Sequence, residues 1–268
     1  MKIKKRRLVQ FGALALFHIP FLAALTPAAR CIPVFSCHAC VATWNICPVG
    51  ALMHYAGWHL IPFYLIGLIL LFGALIGRLF CGWICPFGTL QMLLYKIPSP
   101  KFRLPAWTGY IKYVLLAALV VIIPYYLGEL TYYSFCRVCP VSTIQVTIPY
   151  FLTNENAAWS GWLTTSRFIV FGSVIILAIA SSRSFCKVAC PVGAMMGPFN
   201  HISLWKVKAP EQCPSCKKCD RVCSTDVKPS ERMGAGTSPN RHHDCIVCHE
   251  CQTACPVNIK QKKDKQKQ

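Results

Sequence analysis

One phrase occurs twice in this chain. Residues 78–91 read RLFCGWICPFGTLQ, and residues 183–196 read RSFCKVACPVGAMM. Each copy follows directly on an apolar run, so two membrane-like helices deliver Cys-x3-Cys-Pro at their ends. Upstream of each copy lies a second pair at Cys-x2-Cys spacing, Cys37/Cys40 in CHAC and Cys136/Cys139 in CRVC. Each half therefore runs helix, outer pair, helix, inner pair. Both halves enter from the same side, which makes them parallel repeats about an axis along the membrane normal.

The composition supplies the membrane. The chain is 54% hydrophobic and 14% charged, with mean hydropathy +0.44, where soluble domains carry about a quarter charged residues. Four runs read as transmembrane helices: residues 8–28, 60–77, 110–128 and 167–182. The first has a rival reading as a signal peptide behind the basic KIKKRR stretch, but Ala28-Ala29-Arg30 is a poor cleavage site. Lys2 to Arg7, Arg78, Lys96, Lys101, Arg103, Lys112, Arg183 and Lys187 fall on one side with the basic C-terminal region. The opposite loops hold Arg30, Arg137 and Arg167 and no lysine. By the positive-inside rule both termini are cytoplasmic, in a bacterial inner membrane. The net charge of +19 is thus spent on topology, because the basic residues flank apolar spans; no nucleic-acid partner is expected.

Eighteen cysteines point to metal. Cys213, Cys216, Cys219 and Cys223 follow C-x2-C-x2-C-x3-C, and Cys245, Cys248, Cys251 and Cys255 repeat it, ending in proline. This is the two-cluster bacterial ferredoxin pattern, in which the fourth cysteine of each run serves the other cluster. One [4Fe-4S] cluster would take Cys213, Cys216, Cys219 and Cys255; the other Cys245, Cys248, Cys251 and Cys223. Zinc pairs are the rival, though they usually show two C-x2-C knuckles. His242 and His243, in a Gly/Pro/Ser-rich connector, read as solvated loop residues.

In the membrane half, the repeat axis brings Cys81 and Cys85 to Cys186 and Cys190 on the cytoplasmic face, and Cys37 and Cys40 to Cys136 and Cys139 on the far face. Each half lends two of the four thiolates a cluster needs. Packed thiols are the alternative at the inner face; a redox disulfide or zinc is the alternative at the outer. Cys31 and Cys47 have no counterpart in the second half, and Cys31, Cys37, Cys40 and Cys47 could form a metal site of their own. Pro86, Pro140 and Pro191 are expected to keep the backbone off the metal, and Gly82, Gly88 and Gly193 to let it approach a bulky cluster. His18, His54 and His59 are candidates for haem or quinone contacts, and Trp58, Trp83, Trp159 and Trp162 for interfacial anchors.

On the two Cys-Pro phrases, the four spans and the two C-terminal runs, the chain resembles the NapH/MauN-type membrane ferredoxins and the wider group of polyferredoxin-like membrane proteins. That resemblance implies an electron carrier that oxidises quinol or relays electrons between the membrane and iron–sulfur partners. Residues 1–200 are expected to form an all-α, four-helix membrane domain with halves 1–105 and 106–200. Residues 201–260 would form an α+β two-cluster domain and 261–268 a basic tail. One or two further iron–sulfur clusters or iron sites belong to the membrane domain, with quinone as a further ligand. Electrons would pass between the quinone pool or periplasmic side and cytoplasmic iron–sulfur or cytochrome subunits. The alternatives are a quinol dehydrogenase or metal reductase, and an assembly or redox-sensing accessory of a respiratory complex. Because the hydrocarbon layer is about 30 Å thick, the relay requires outer cysteines that dip into the membrane or a quinone between the sites.

Overall fold

The computed structural model describes residues 6–13, 47–128, 131–153, 161–207, 209–210, 213–214 and 216–259. Among them every regular element is a helix. Cys31, Cys37, Cys40, His18, Trp159 and the basic tail lie outside the described residues.

Four spans are expected from the sequence; one helix among the described residues, Ala106–Leu127, is long and apolar enough to cross a membrane. Phe63–Ile76 and Thr164–Ala180 are apolar but shorter. At about 1.5 Å rise per residue, the 14 residues of Phe63–Ile76 reach roughly 21 Å, less than the ~30 Å hydrocarbon core. The reason is local. Gly77 turns to a φ of +57° and ends the helix, after which the chain coils into the turn Leu79–Trp83 that carries Cys81. The second half does the same after Trp162–Ala180, where Arg183 takes a φ of +53° and Ser184–Val188 carries Cys186. Helix is thus traded for a cysteine turn at the same point of both repeats. Of the first run, only residues 6–13 are described, and they are helical.

Ala106–Leu127 winds as a π-helix over Leu116–Ile122, immediately before Pro124. A proline in a helix has no N–H to donate and its ring collides with the carbonyl four residues back. Widening the turn ahead of it accommodates both defects without breaking the helix.

A single device starts four helices. Pro48–Gly57 follows Cys47, Pro86–Leu94 follows Cys85, the helix over 140–153 follows Cys139, and Pro191–Met196 follows Cys190. In each the cysteine is the N-cap and the proline the first helical residue, where its missing N–H is not needed. The prolines therefore launch helices from the cysteines. Cys47 accordingly has a counterpart in the second half, Cys139.

Six buried residues, Val49, Met53, Phe87, Val120, Phe135 and Phe185, form the core of the membrane half. Cys47, Cys136 and Cys139 pack against this cluster, and so do Cys85 and Cys190.

The C-terminal part holds the short helices Lys218–Arg221, Pro229–Gly234 and Glu250–Ala254, and no strand among its described residues. The expected α+β character is not seen there. Between closely spaced cysteines the backbone is committed to tight turns: Lys217 and His249, each following the second cysteine of its run, both adopt left-handed φ, +54° and +61°. The two runs fold alike, and the helices Lys218–Arg221 and Glu250–Ala254 that follow them pack together.

Candidate metal centre

The inner pairs of the two halves come together. Cys85 lies within electrostatic range of Cys81 and Cys186, and Cys190 within range of Cys186, Cys81 and Cys85. Two arginines cross between the halves to frame them. Arg183 donates from Nη1 to the carbonyl of Cys81 at 2.7 Å, and Arg78 donates from Nη2 to the carbonyl of Cys186 at 3.4 Å. Each guanidinium occupies the space left by a glycine of the other half. A Cβ on Gly88 would stand 3.1 Å from Nη1 of Arg183, and one on Gly193 would stand 2.7 Å from Nη2 of Arg78. These glycines make room for arginine, where the sequence suggests room for a cluster. Gln91 adds a third crossing: its Nε2 donates to Cys186 Sγ at 3.3 Å and its Oε1 accepts from the Phe185 amide at 3.2 Å.

Charge states what these thiols can hold. Arg78 is 1% exposed, and Arg183 and Lys112 are 0% exposed, with Arg6 and Lys187 also buried; among the described residues Asp244 is the one buried acid. The Nε atoms of Arg78 and Arg183 have no hydrogen-bond partner. Lys112 and Arg78 share Asp244 and Arg6 pairs with Glu250, so the cations outnumber the acids, and a buried charge left without a partner costs several kcal/mol. Thiolates holding an iron–sulfur cluster carry net negative charge in the middle of this group, so the donor set and its surroundings fit such a cluster. Sequence reading takes Arg78, Lys112, Arg183 and Lys187 as markers of the cytoplasmic face; the structure buries all four.

The C-terminal part docks onto this site. A Cβ on Gly82, between Cys81 and Trp83, would collide with the carbonyl of Ile246 and stand 3.5 Å from Cα of Cys248. Trp83 donates its indole N–H to the Val247 carbonyl at 3.2 Å, so it fastens this contact where an interfacial anchor is expected. Asn200 donates to the carbonyls of His242 and Cys245 at 2.9 and 2.7 Å, and Arg78 donates to the carbonyl of His243 at 2.7 Å. On the other side Arg6 and Gln10 both donate to the carbonyl of Gly82, and Arg6 also pairs with Glu250.

His242 and His243 are not solvated loop residues. Their rings stack at 4.3 Å, and His243 also faces Tyr110 and Tyr113. Asp244 beside them is ion-paired with Lys112 and lies 3.8 Å from Nη1 of Arg78. Burial would raise its pKa, but His243, whose Nε2 lies 3.3 Å from Oδ2, and the charge and hydrogen bond of Lys112 outweigh that and hold it well below the usual carboxylate range.

In the C-terminal runs, Cys251 lies within range of Cys248, Cys245 and Cys223, the set expected for one cluster. Burial, reinforced by Cys248 and Cys223, pushes the free thiol of Cys245 up to about 12; a metal is needed to hold it as thiolate. Cys219 lies near Cys213, Cys216 is exposed and Cys255 is buried. Cys136 and Cys139 are joined by Cys47. The ring of His54 packs on Tyr55 and Trp58, and that of His59 meets Tyr125 at 4.3 Å.

What the sequence hides is the arginine exchange and the Asp244 pairing. The signal for the first is present: arginine stands three residues before the first inner cysteine in both phrases. No local pattern marks Asp244 or Asn200, whose partners are far away in the chain.

Residues 45–63, 58–105 and 163–210 match the family described as 4Fe-4S binding domain, so the match falls on the Cys-Pro turns of both halves. Uncharacterized protein MJ0750 of Methanocaldococcus jannaschii is 30% identical over 68% of this chain and 70% of its own length. The methylamine utilization ferredoxin-type protein MauN of Methylorubrum extorquens is 32% identical over 72% of this chain and 64% of its own length. The regulatory protein NosR of Pseudomonas aeruginosa is 25% identical over 70% of this chain, which spans only 26% of NosR. No solved structure matches. The chain belongs to the membrane ferredoxin-type family of iron–sulfur electron carriers.

Proposed function

We propose that this protein is a multi-pass relay of the bacterial inner membrane, with both termini in the cytoplasm, carrying electrons between the quinone pool or the outer side and cytoplasmic iron–sulfur or cytochrome partners. The observation that carries the reading is the docking at Gly82, which sets the Cys81 turn directly against the loop bearing Cys245 and Cys248. Iron–sulfur clusters held by these thiolates supply one-electron storage and transfer. The residues of the chain do the rest. Cys81, Cys85, Cys186 and Cys190 form the inner set, Cys223, Cys245, Cys248 and Cys251 the adjoining one, and Cys213, Cys216, Cys219 and Cys255 a third, in which Cys216 is exposed. Arg78 and Arg183 offset the negative charge of the inner set, and the hydrogen bond from Gln91 to Cys186 Sγ favours its reduced form. Trp83 and Asn200 hold the two halves of the path in register. Support for the membrane comes from the apolar side chains facing outward, among them Leu70, Leu71, Phe72, Val114, Ile122, Ile169 and Ile176, since a soluble monomer rarely exposes so much contiguous apolar surface.

The test is delivery of electrons. In vesicles, a menaquinol analogue should bleach the C-terminal clusters of the wild type. In Cys81→Ala, dithionite should still reduce those clusters while the quinol no longer does. Equal bleaching by quinol in both proteins would overturn the relay through the inner set.

A further inference from the structure

We propose that Cys47, Cys136 and Cys139 supply three of the thiolates of a second iron–sulfur cluster of the membrane domain, held against the same apolar core that the inner cysteines line. Sequence alignment of the outer pairs sets Cys37 and Cys40, which lie outside the described residues, against Cys136 and Cys139 and leaves Cys47 over; the structure brings Cys47 to the second half's pair. Three thiols of two repeats meet there, as four do at the inner site.

The local backbone is also the same. Cys47 and Cys139 cap their helices with proline next, as Cys85 and Cys190 do. The residues Cys47-Pro48-Val49-Gly50-Ala51 repeat letter for letter as Cys190-Pro191-Val192-Gly193-Ala194. The same device thus presents both sets of cysteines to one core. The cation pattern recurs too. Arg167 of the last apolar helix donates from Nε to the carbonyl of Arg137 at 2.7 Å, one residue past Cys136, and from Nη1 to Thr147 Oγ1 at 3.2 Å. At the inner site Arg183 makes the matching bond to a carbonyl at Cys81.

Placement decides between the chemistries open to three thiols. A Cys136–Cys139 disulfide would leave Cys47 unused. Zinc has no redox chemistry. Yet these thiols pack against the same six-residue apolar cluster as Cys85 and Cys190, in which Phe87 and Phe185 meet edge to face at 5.1 Å. A site on the same small core as a thiolate set suited to single electrons is placed for single electrons.

The inference rests on reading the inner cysteines as iron–sulfur ligands, and the experiment separates the two. Full-length protein is purified anaerobically in detergent as wild type, Cys47→Ala, Cys136→Ala, Cys139→Ala and Cys81→Ala. Iron, zinc and acid-labile sulfide are counted and electron paramagnetic resonance spectra recorded after dithionite reduction. Each outer variant is expected to lose the same signal and the same share of iron and sulfide, about four of each for a [4Fe-4S] cluster. The C-terminal signals should persist as proof of folding. Unchanged iron and sulfide in the outer variants, or zinc released in place of iron, overturns the proposal. Loss of iron in the outer variants but not in Cys81→Ala would overturn the inner reading and leave the outer site standing. Alkylation of wild type guards against misfolded variants. Cys47 should be protected until iron is chelated, and labelling without chelation, or only after a disulfide reductant, contradicts a cluster.

Discussion

Asp244→Asn is expected to destabilise the docked C-terminal part by on the order of 3–5 kcal/mol, the usual consequence of removing one partner from a buried ion pair. Asp244 is 2% exposed and is paired with Lys112, which is fully buried, while Arg78 lies 3.8 Å away. Without the carboxylate two cations share a water-poor pocket with no acid beside them. Asparagine keeps the volume, so the loss reports charge. The measurement is denaturant-induced bleaching of the C-terminal clusters, whose midpoint should fall sharply. Asp244→Asn combined with Lys112→Met should recover much of the loss, because the stranded charge goes with it. No recovery would mean that the pair matters for shape alone.

Gly82→Val should undock the C-terminal part without emptying it. Its new Cβ would run into the Ile246 carbonyl, and the Gly82 carbonyl is itself the acceptor for Arg6 and Gln10. Overpacking of a close backbone contact costs about 1–3 kcal/mol, enough to weaken docking by roughly 10- to 100-fold. Limited proteolysis within residues 201–210 should then release a fragment with its cluster absorbance intact, while reduction of those clusters by quinol slows. Gly67→Val and Gly172→Val are the controls, since a Cβ there meets nothing within 4 Å. Equal protease resistance of Gly82→Val and these controls would refute the contact as the hinge of the assembly.

Much of the inner site is legible in the sequence because the repeat writes it twice: two Cys-x3-Cys-Pro phrases and a symmetry that makes them meet. The C-terminal runs are legible through spacing. Cys47 is read as having no counterpart in the second half, although its helix start matches that of Cys139; Cys37 and Cys40 lie outside the described residues. The span expected over residues 60–77 is shorter in the structure at its start, where the helix begins at Phe63 after Pro62, while its end at Gly77 agrees. The arginines are read for topology alone, although a positive charge beside an apolar run can serve topology and site alike. Only the three-dimensional crossing of Arg78 and Arg183 distinguishes the two uses. Asp244 escapes because its meaning lies in Lys112, on a distant helix.

The central claim is that the two halves each lend two sulfurs to one inner cofactor. Its most direct measurement is the paramagnetic spectrum and iron content of reduced Cys81→Ala beside reduced Cys186→Ala. One variant lies in each half, and both should lack one and the same signal and the same amount of iron. Loss of two different signals, or of none, would mean that the halves do not share a site.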